Sequence, residues 1–179
     1  MNLKKVERLA NTVLEEFKIT APHVPIREIA KDLGVHVIDE KFNDSDISGM
    51  LFRDENKKLN VIGVNSSHSP NRQRFTIAHE LGHFLLHKGE TNHFDRAGTF
   101  KVNYRNSVSS TATSKEEIEA NTFAAAILMP EHFLVPIIEQ RLSDGLDISD
   151  DSDEISEIAS QFKVSTQALY FRLSKLGYV

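Results

Sequence analysis

The 179-residue chain is 40% hydrophobic and 26% charged with a net charge of -5, a globular composition at the length of one compact domain, which excludes disorder throughout. It contains no cysteine, which excludes disulfides, thiolate catalysis and cysteine-rich zinc sites, so that any metal must be held by histidine and carboxylate. The negative balance argues against broad nonspecific attraction to nucleic acid or to an anionic membrane.

Leu3, Val6, Ala10, Val13, Leu14 and Phe17 form the stripe of an amphipathic first helix. Charged residues interrupt it, so it lacks the apolar run of a signal peptide or membrane span, and a cytoplasmic location is expected. Pro25, Ile26, Ile29, Ala30 and Leu33 signal a short second helix closed by Gly34. Val35, Val37 and Ile38 then favour a strand. Gly49 to Phe52 and Leu59 to Val64 are β-type runs separated by the polar Arg53 to Lys58, and they read as a hairpin.

Ser69 followed by Pro70 reads as an N-cap with proline at the first helical position, and Phe75, Ala78, Leu81, Gly82 and Leu85 follow at three-to-four spacing until Lys88-Gly89. The predicted helix covers about 70–88, roughly five turns. In its middle stands His79-Glu80-Leu81-Gly82-His83. Chance alone would place H-E-x-x-H in roughly 3% of such chains, so its position inside a helix matters. Only ~40° separates His79 from His83 on the helix surface, and both imidazoles can reach one cation. Glu80 stands to one side, where a carboxylate can take a proton from metal-bound water as a catalytic base. A strand beside such a site can pair with an extended substrate, which makes Val61, Ile62, Gly63 and Val64 a candidate substrate-binding edge, with an internal strand as the alternative.

His87 continues the series, but three histidines four apart span ~12 Å, too far for one ion, so it reads as a hydrogen-bonding residue at the helix end. Leu86 and Gly89 stand where the longer H-E-x-x-H-x-x-G-x-x-H pattern needs glycine and histidine, which dismisses that alternative. From Glu90 to Ser114 the chain is long and polar, as lids and binding loops are. Within it His93 and Tyr104 are candidate oxyanion or substrate contacts, against a plain loop role.

A further active-site helix is expected over about 115–129, ended by Pro130, and another through Phe133, Ile137 and Ile138. Catalytic zinc usually takes three protein ligands and keeps a fourth position for water, and Glu117 is the best candidate for the third, with Glu119 its main rival. A capping box, Ser114-Lys115-Glu116-Glu117, is the structural alternative for Glu117. Asn121 falls one turn later on the same face, where it could hydrogen-bond a ligand histidine, and Ala120 and Ala124 allow close helix approach. Zinc suits two histidines and a glutamate best, while manganese or iron would be accepted by the same ligands.

Two units are expected: residues 1–143 with the metal site, and 144–179, an acidic linker followed by a helix-turn-helix-like pair packed on the core. The second helix of that pair offers Gln167, Tyr170, Arg172 and Lys175 to DNA. The acidic residues before it would repel phosphates, so direct DNA binding is disfavoured. The competing function is a non-catalytic metal-binding regulator that binds a repressor or DNA through this pair.

The run Arg74 to His87, followed by Glu117-Ile118-Glu119-Ala120-Asn121 through Met129-Pro130, closely resembles the ImmA/IrrE family of metallopeptidases. The resemblance extends from about residue 20 to the closing Phe162 to Gly177. It implies an α+β fold with a zincin-like core, in which a small antiparallel sheet packs on the motif helix. It also implies a gluzincin-like zinc endopeptidase with His79, His83 and Glu117 as metal ligands and Glu80 as catalytic base. The expected partner is a protein substrate, a helix-turn-helix repressor whose cutting would relieve control of a mobile element, a stress response or a toxin-antitoxin-like pair. Neither a membrane role nor an oligomeric state follows from it.

Overall fold

The computed structural model describes residues 2–44, 47–54, 56–87, 92–96 (backbone only), 115–148 and 153–179. Along it run α1 (Leu3–Glu16), α2 (Ile26–Asp32), β1 (Val35–Glu40), β2 (Ile47–Asp54), β3 (Leu59–Asn65), α3 (Pro70–Leu86), β4 (Asn92–Arg96), α4 (Lys115–Leu128), α5 (Glu131–Ser143), α6 (Asp153–Phe162) and α7 (Thr166–Leu176). The class is α+β, as expected.

Local sequence explains most element boundaries. Asn2 caps α1 by accepting from the Lys5 amide, and the apolar stripe buries Val6, Ala10, Val13 and Leu14. After α2 the chain turns at Gly34, whose φ of +82° lies in the left-handed region that glycine enters without a Cβ penalty. Ser69 and Pro70 stand at the N-cap and first position of α3, as predicted, although the Ser69 hydroxyl makes no capping hydrogen bond. The helix stops at Leu86, ahead of the expected Lys88-Gly89, which lie outside the described residues.

Among the described residues the sheet has four strands in the order β1-β3-β2-β4. β2 and β3 form the expected antiparallel hairpin, from Gly49 opposite Val64 to Asp54 opposite Leu59. β1 joins the other side of β3 in parallel, Val35 opposite Asn60 through Glu40 opposite Asn65. β4 pairs antiparallel with β2.

Two expectations are corrected here. The sheet is mixed, not antiparallel, because β1 and β2 leave a gap one strand wide and β3 fills it, running parallel to its first neighbour. The same insertion removes the substrate-binding edge from β3. Val61, Ile62, Gly63 and Val64 each face a partner on β1 and another on β2, so their backbone groups are committed on both sides. Burial agrees, since Ile62 and Val64 are both fully enclosed.

The motif helix is the centre of the molecule. Every residue of α3 from Phe75 to His83 is buried, so this is a helix enclosed all round and not an amphipathic surface helix. The sheet lies directly against it at Gly49, where a Cβ would collide with the Thr76 methyl and the Gly63 carbonyl. On its other flank, a Cβ at Gly82 would stand 3.2 Å from the Ala120 Cα, the Ala120 carbonyl oxygen and the Phe123 ring. The small Gly82 and Ala120 thus let α3 and α4 approach backbone to backbone.

The closing helices belong to the same core. Ile155, Ile158, Ala159, Phe162, Ala168, Leu169 and Leu173 join one apolar cluster with α1, α3 and α4. Ser165 caps α7 by accepting from the Ala168 amide at 3.2 Å, and Gly177 ends it at φ +85°. Arg172, one of the four residues that the disfavoured DNA-binding reading would use, is only 1% exposed. It donates to the Met129 carbonyl at 3.1 Å and pairs with Glu7 of α1. Burial of an arginine requires such partners, and these take it out of reach of a phosphate.

Candidate metal centre

Helical spacing places His79 and His83 one turn apart on α3, and the close approach at Gly82 and Ala120 brings Glu117 of α4 against them. Their Nε2 atoms lie 3.1 Å apart. Glu117 turns one carboxylate oxygen toward each, with Oε1 at 3.2 Å from His83 Nε2 and Oε2 at 3.5 Å from His79 Nε2. Donors at the corners of a tetrahedron with metal bonds of ~2.0–2.1 Å stand about 3.3 Å from one another, close to the separation of the two Nε2 atoms and of each from its nearer Glu117 oxygen, so the three side chains could hold one ion. Among the described residues this is the one group of three His, Cys, Asp or Glu donors so arranged. The convergence of two imidazole nitrogens and a carboxylate is crowded without a cation and favourable with one.

Orientation of the histidines is also built in. Asn121, one turn beyond Glu117, places its Oδ1 2.9 Å from His79 Nδ1. An amide oxygen can only accept, so His79 carries its proton on Nδ1 and turns the Nε2 lone pair toward the centre. Sequence spacing placed Asn121 on the Glu117 face of α4, and the structure brings it within hydrogen-bond distance of His79. Glu119, the rival for the third ligand position, faces elsewhere: its carboxylate lies 3.3 Å from His87 Nε2, behind the centre.

Burial is uneven around the site. His79, Glu80 and His83 are 1%, 0% and 1% exposed, whereas the Glu117 side chain is 14% exposed. Among the described residues of the site, Glu117 of α4 is the most exposed. His93 contributes backbone to β4 opposite Leu51, but its side chain and the whole of Tyr104 lie outside the described residues.

Two features escaped sequence reading. Arg53 of β2 sends its guanidinium to the end of α3, donating to the His87 carbonyl at 2.6 Å and the His83 carbonyl at 2.8 Å. It gives the His87 carbonyl at the helix C-terminus a partner and adds a second donor to the His83 carbonyl, which already accepts from the His87 amide at 3.0 Å. At the other end of α3, Asn71 donates to the Val164 carbonyl at 3.0 Å, and Arg74 donates to Val24 at 2.9 Å and to Lys163 at 3.3 Å. Burial lowers the pKa of Arg74, with the Glu28 carboxylate opposing that shift. No local pattern announces contacts 30 to 93 residues apart. Arg53→Ala removes two charge-assisted hydrogen bonds and should cost about 2 kcal/mol, a fall in Tm of roughly 4–8 °C in thermal unfolding. An unchanged Tm would show that water serves those carbonyls equally well.

Comparison with known proteins bears on the same residues. The peptidase M78 family model, described as the IrrE N-terminal-like domain, matches residues 30–174. The chain is 31% identical over 116 residues to the radiation response metalloprotease IrrE of Deinococcus radiodurans, covering 65% of this chain and 31% of that protein. It is 30% identical over 133 residues to the metallopeptidase ImmA of Bacillus subtilis, covering 73% of this chain and 64% of that protein. Bacillus phage phi105 has a similar uncharacterized immunity region protein 2, 29% identical over 127 residues, covering 70% and 69%. The chain thus spans about a third of the Deinococcus protein and just under two thirds of the Bacillus one. A Mycobacterium tuberculosis transcriptional regulator shares the fold, with a TM-score of 0.62 at 18% identity over 96% of this chain and 46% of that one. With a family model covering most of its length and the two motif blocks meeting at one centre, the chain belongs to the IrrE N-terminal-like peptidase family.

Proposed function

We propose that this chain is a zinc-dependent, gluzincin-like endopeptidase of zincin-like architecture. Its substrate is an intracellular protein, a helix-turn-helix repressor, and it acts in the cytoplasm. The observation that carries the reading is the convergence of His79 Nε2, His83 Nε2 and the two Glu117 carboxylate oxygens, at 3.1, 3.2 and 3.5 Å, beside the buried Glu80.

The chemistry is amide hydrolysis by a general base. A divalent ion held by His79, His83 and Glu117 would supply Lewis acidity to water and to the scissile carbonyl. Glu80 accepts the proton that the attacking water loses, holds it, and returns it to the departing amine. Asn121 keeps His79 in its ligating tautomer, and burial of α3 excludes water from the face behind the histidines. Zinc is preferred because two imidazoles and one carboxylate suit its four-coordinate habit, with manganese and iron as the alternatives that would fit the same donors.

The relatives support the choice of substrate class. Two are named metalloproteases, one of a radiation response, and a third is named for a phage immunity region. A repressor is a substrate class suited to such settings, since cutting one is irreversible. The regulator reading loses support from the structure, since Arg172 is withdrawn from the face that would meet DNA.

The test is direct. Protein loaded with zinc, manganese or iron is incubated with helix-turn-helix repressors encoded beside it, and products are identified by mass spectrometry. One internal cut is expected, abolished by a chelator and restored by adding back metal. A protein that binds none of these ions overturns the metal reading. One that binds metal but leaves every such repressor whole overturns the substrate class.

A further inference from the structure

We propose that His87 and Glu119 form a positioning relay for the ligand His83, an arrangement that rests on the metal-centre reading. The relay runs on the side of His83 opposite the centre. His83 Nδ1 lies 3.1 Å from His87 Nδ1, and His87 Nε2 lies 3.3 Å from Glu119 Oε2. The two rings are tilted by 57° with centroids 5.1 Å apart, so they meet nitrogen to nitrogen and not face to face.

Proton placement along this chain has one consistent solution. His83 Nε2 points at His79 and Glu117 and must offer a lone pair to a metal, so its proton sits on Nδ1. His87 Nδ1 must then accept, which places the His87 proton on Nε2. There it meets an ionised carboxylate, the strongest acceptor a protein has for it. The negative charge of Glu119 is thus relayed through two imidazoles and raises the donor strength of His83 at the metal. His79 is oriented by a neutral amide and His83 by a carboxylate one residue removed, so the two ligands are tuned differently.

The surroundings hold the relay in place. The side chains of His87 and Glu119 are 11% and 14% exposed, partly shielded from competing water. Lys115 lies 3.8 Å from the other oxygen of Glu119, and Arg53 pins the His87 backbone carbonyl at 2.6 Å. The spacing 79, 83, 87 on α3 therefore has two uses: two histidines for the ion and a third for the second of them. Glu117 and Glu119 divide in the same way on α4.

The test compares metal affinity, by competition with a chromophoric chelator for Zn2+, and the absorption spectrum of the Co2+-loaded protein. The variants are His87→Leu, His87→Gln and Glu119→Leu. Glutamine can accept from His83 with its oxygen and donate to Glu119 with its nitrogen, whereas leucine can do neither. Zinc affinity is expected to fall about 10–100-fold in His87→Leu and Glu119→Leu and to stay within about threefold of wild type in His87→Gln. The Co2+ spectrum should change in the two leucine variants and be retained in the glutamine variant. Leucine variants that bind as wild type, or a glutamine variant as weak as leucine, overturn the relay while the metal centre stands. A wild type without metal affinity overturns the centre and the relay together.

Discussion

Glu80→Gln should keep its metal and lose cleavage, by roughly 10²–10⁴-fold in single-turnover rate. The expectation follows from where the residue sits. Glu80 is 0% exposed in the middle of α3, flanked by a ligand on either side in sequence, yet it is not among the converging donors. Glutamine has almost the same volume, so packing around it is preserved, but its amide cannot take a proton. Metal content and repressor cleavage measured on the same preparation separate the outcomes. A variant that cuts at the wild-type rate would remove Glu80 from the role of base. Loss of metal together with cleavage would mean that Glu80 contributes to binding, contrary to the geometry.

Gly82→Val should damage the fold and the metal centre together. A Cβ at this position already stands 3.2 Å from the backbone of Ala120 and from Phe123, and valine adds two further carbons. The Phe123 ring could turn aside, but the Ala120 Cα and carbonyl oxygen are main chain and cannot yield by a side-chain rotation. Overpacking of this kind costs about 3 kcal/mol, or roughly 6–12 °C of Tm for a chain this size. The second effect is the more specific one. Glu117 rides on α4 and the histidines on α3, so parting the helices pulls the carboxylate off centre, and metal sites tolerate only ~0.2 Å in ligand distance. Zinc affinity should drop at least about tenfold while that of a destabilised control with the helix contact intact does not. Equal affinity in Gly82→Val and wild type would mean that the approach of α3 and α4 does not set the Glu117 position.

The site was far more legible in the sequence than the sheet. The meeting of His79, His83, Glu117 and Asn121 was readable because helical periodicity turns sequence spacing into direction, and each helix carries its pair on one face. Where spacing ceased to help, reading failed. β3 looks the same in sequence whether it lies inside a sheet or at its edge, since strand order is decided by pairing across the chain and not within the strand. Its continuous apolar run, with Ile62 and Val64 wholly buried, was the one available hint of an inner strand. Glu117 and Glu119 were weighed as rivals for one position because two carboxylates two residues apart differ only in which neighbour each faces. Tertiary packing gave them separate partners. Arg172 looked like a surface cation for lack of any view of Glu7, 165 residues away.

The two ends of α3 have a meaning beyond their hydrogen bonds. Arg53 fastens its last turn to the sheet, while Asn71 and Arg74 fasten its first turn to the bend between α6 and α7. The helix that carries both histidines is therefore aimed from outside itself, by residues that flank it in space on opposite sides. A cut made between residues 143 and 144 to obtain a minimal peptidase would sever one of the two fastenings. What the chain order presents as a trailing appendage is, in three dimensions, part of the mount that points the histidines at their ion.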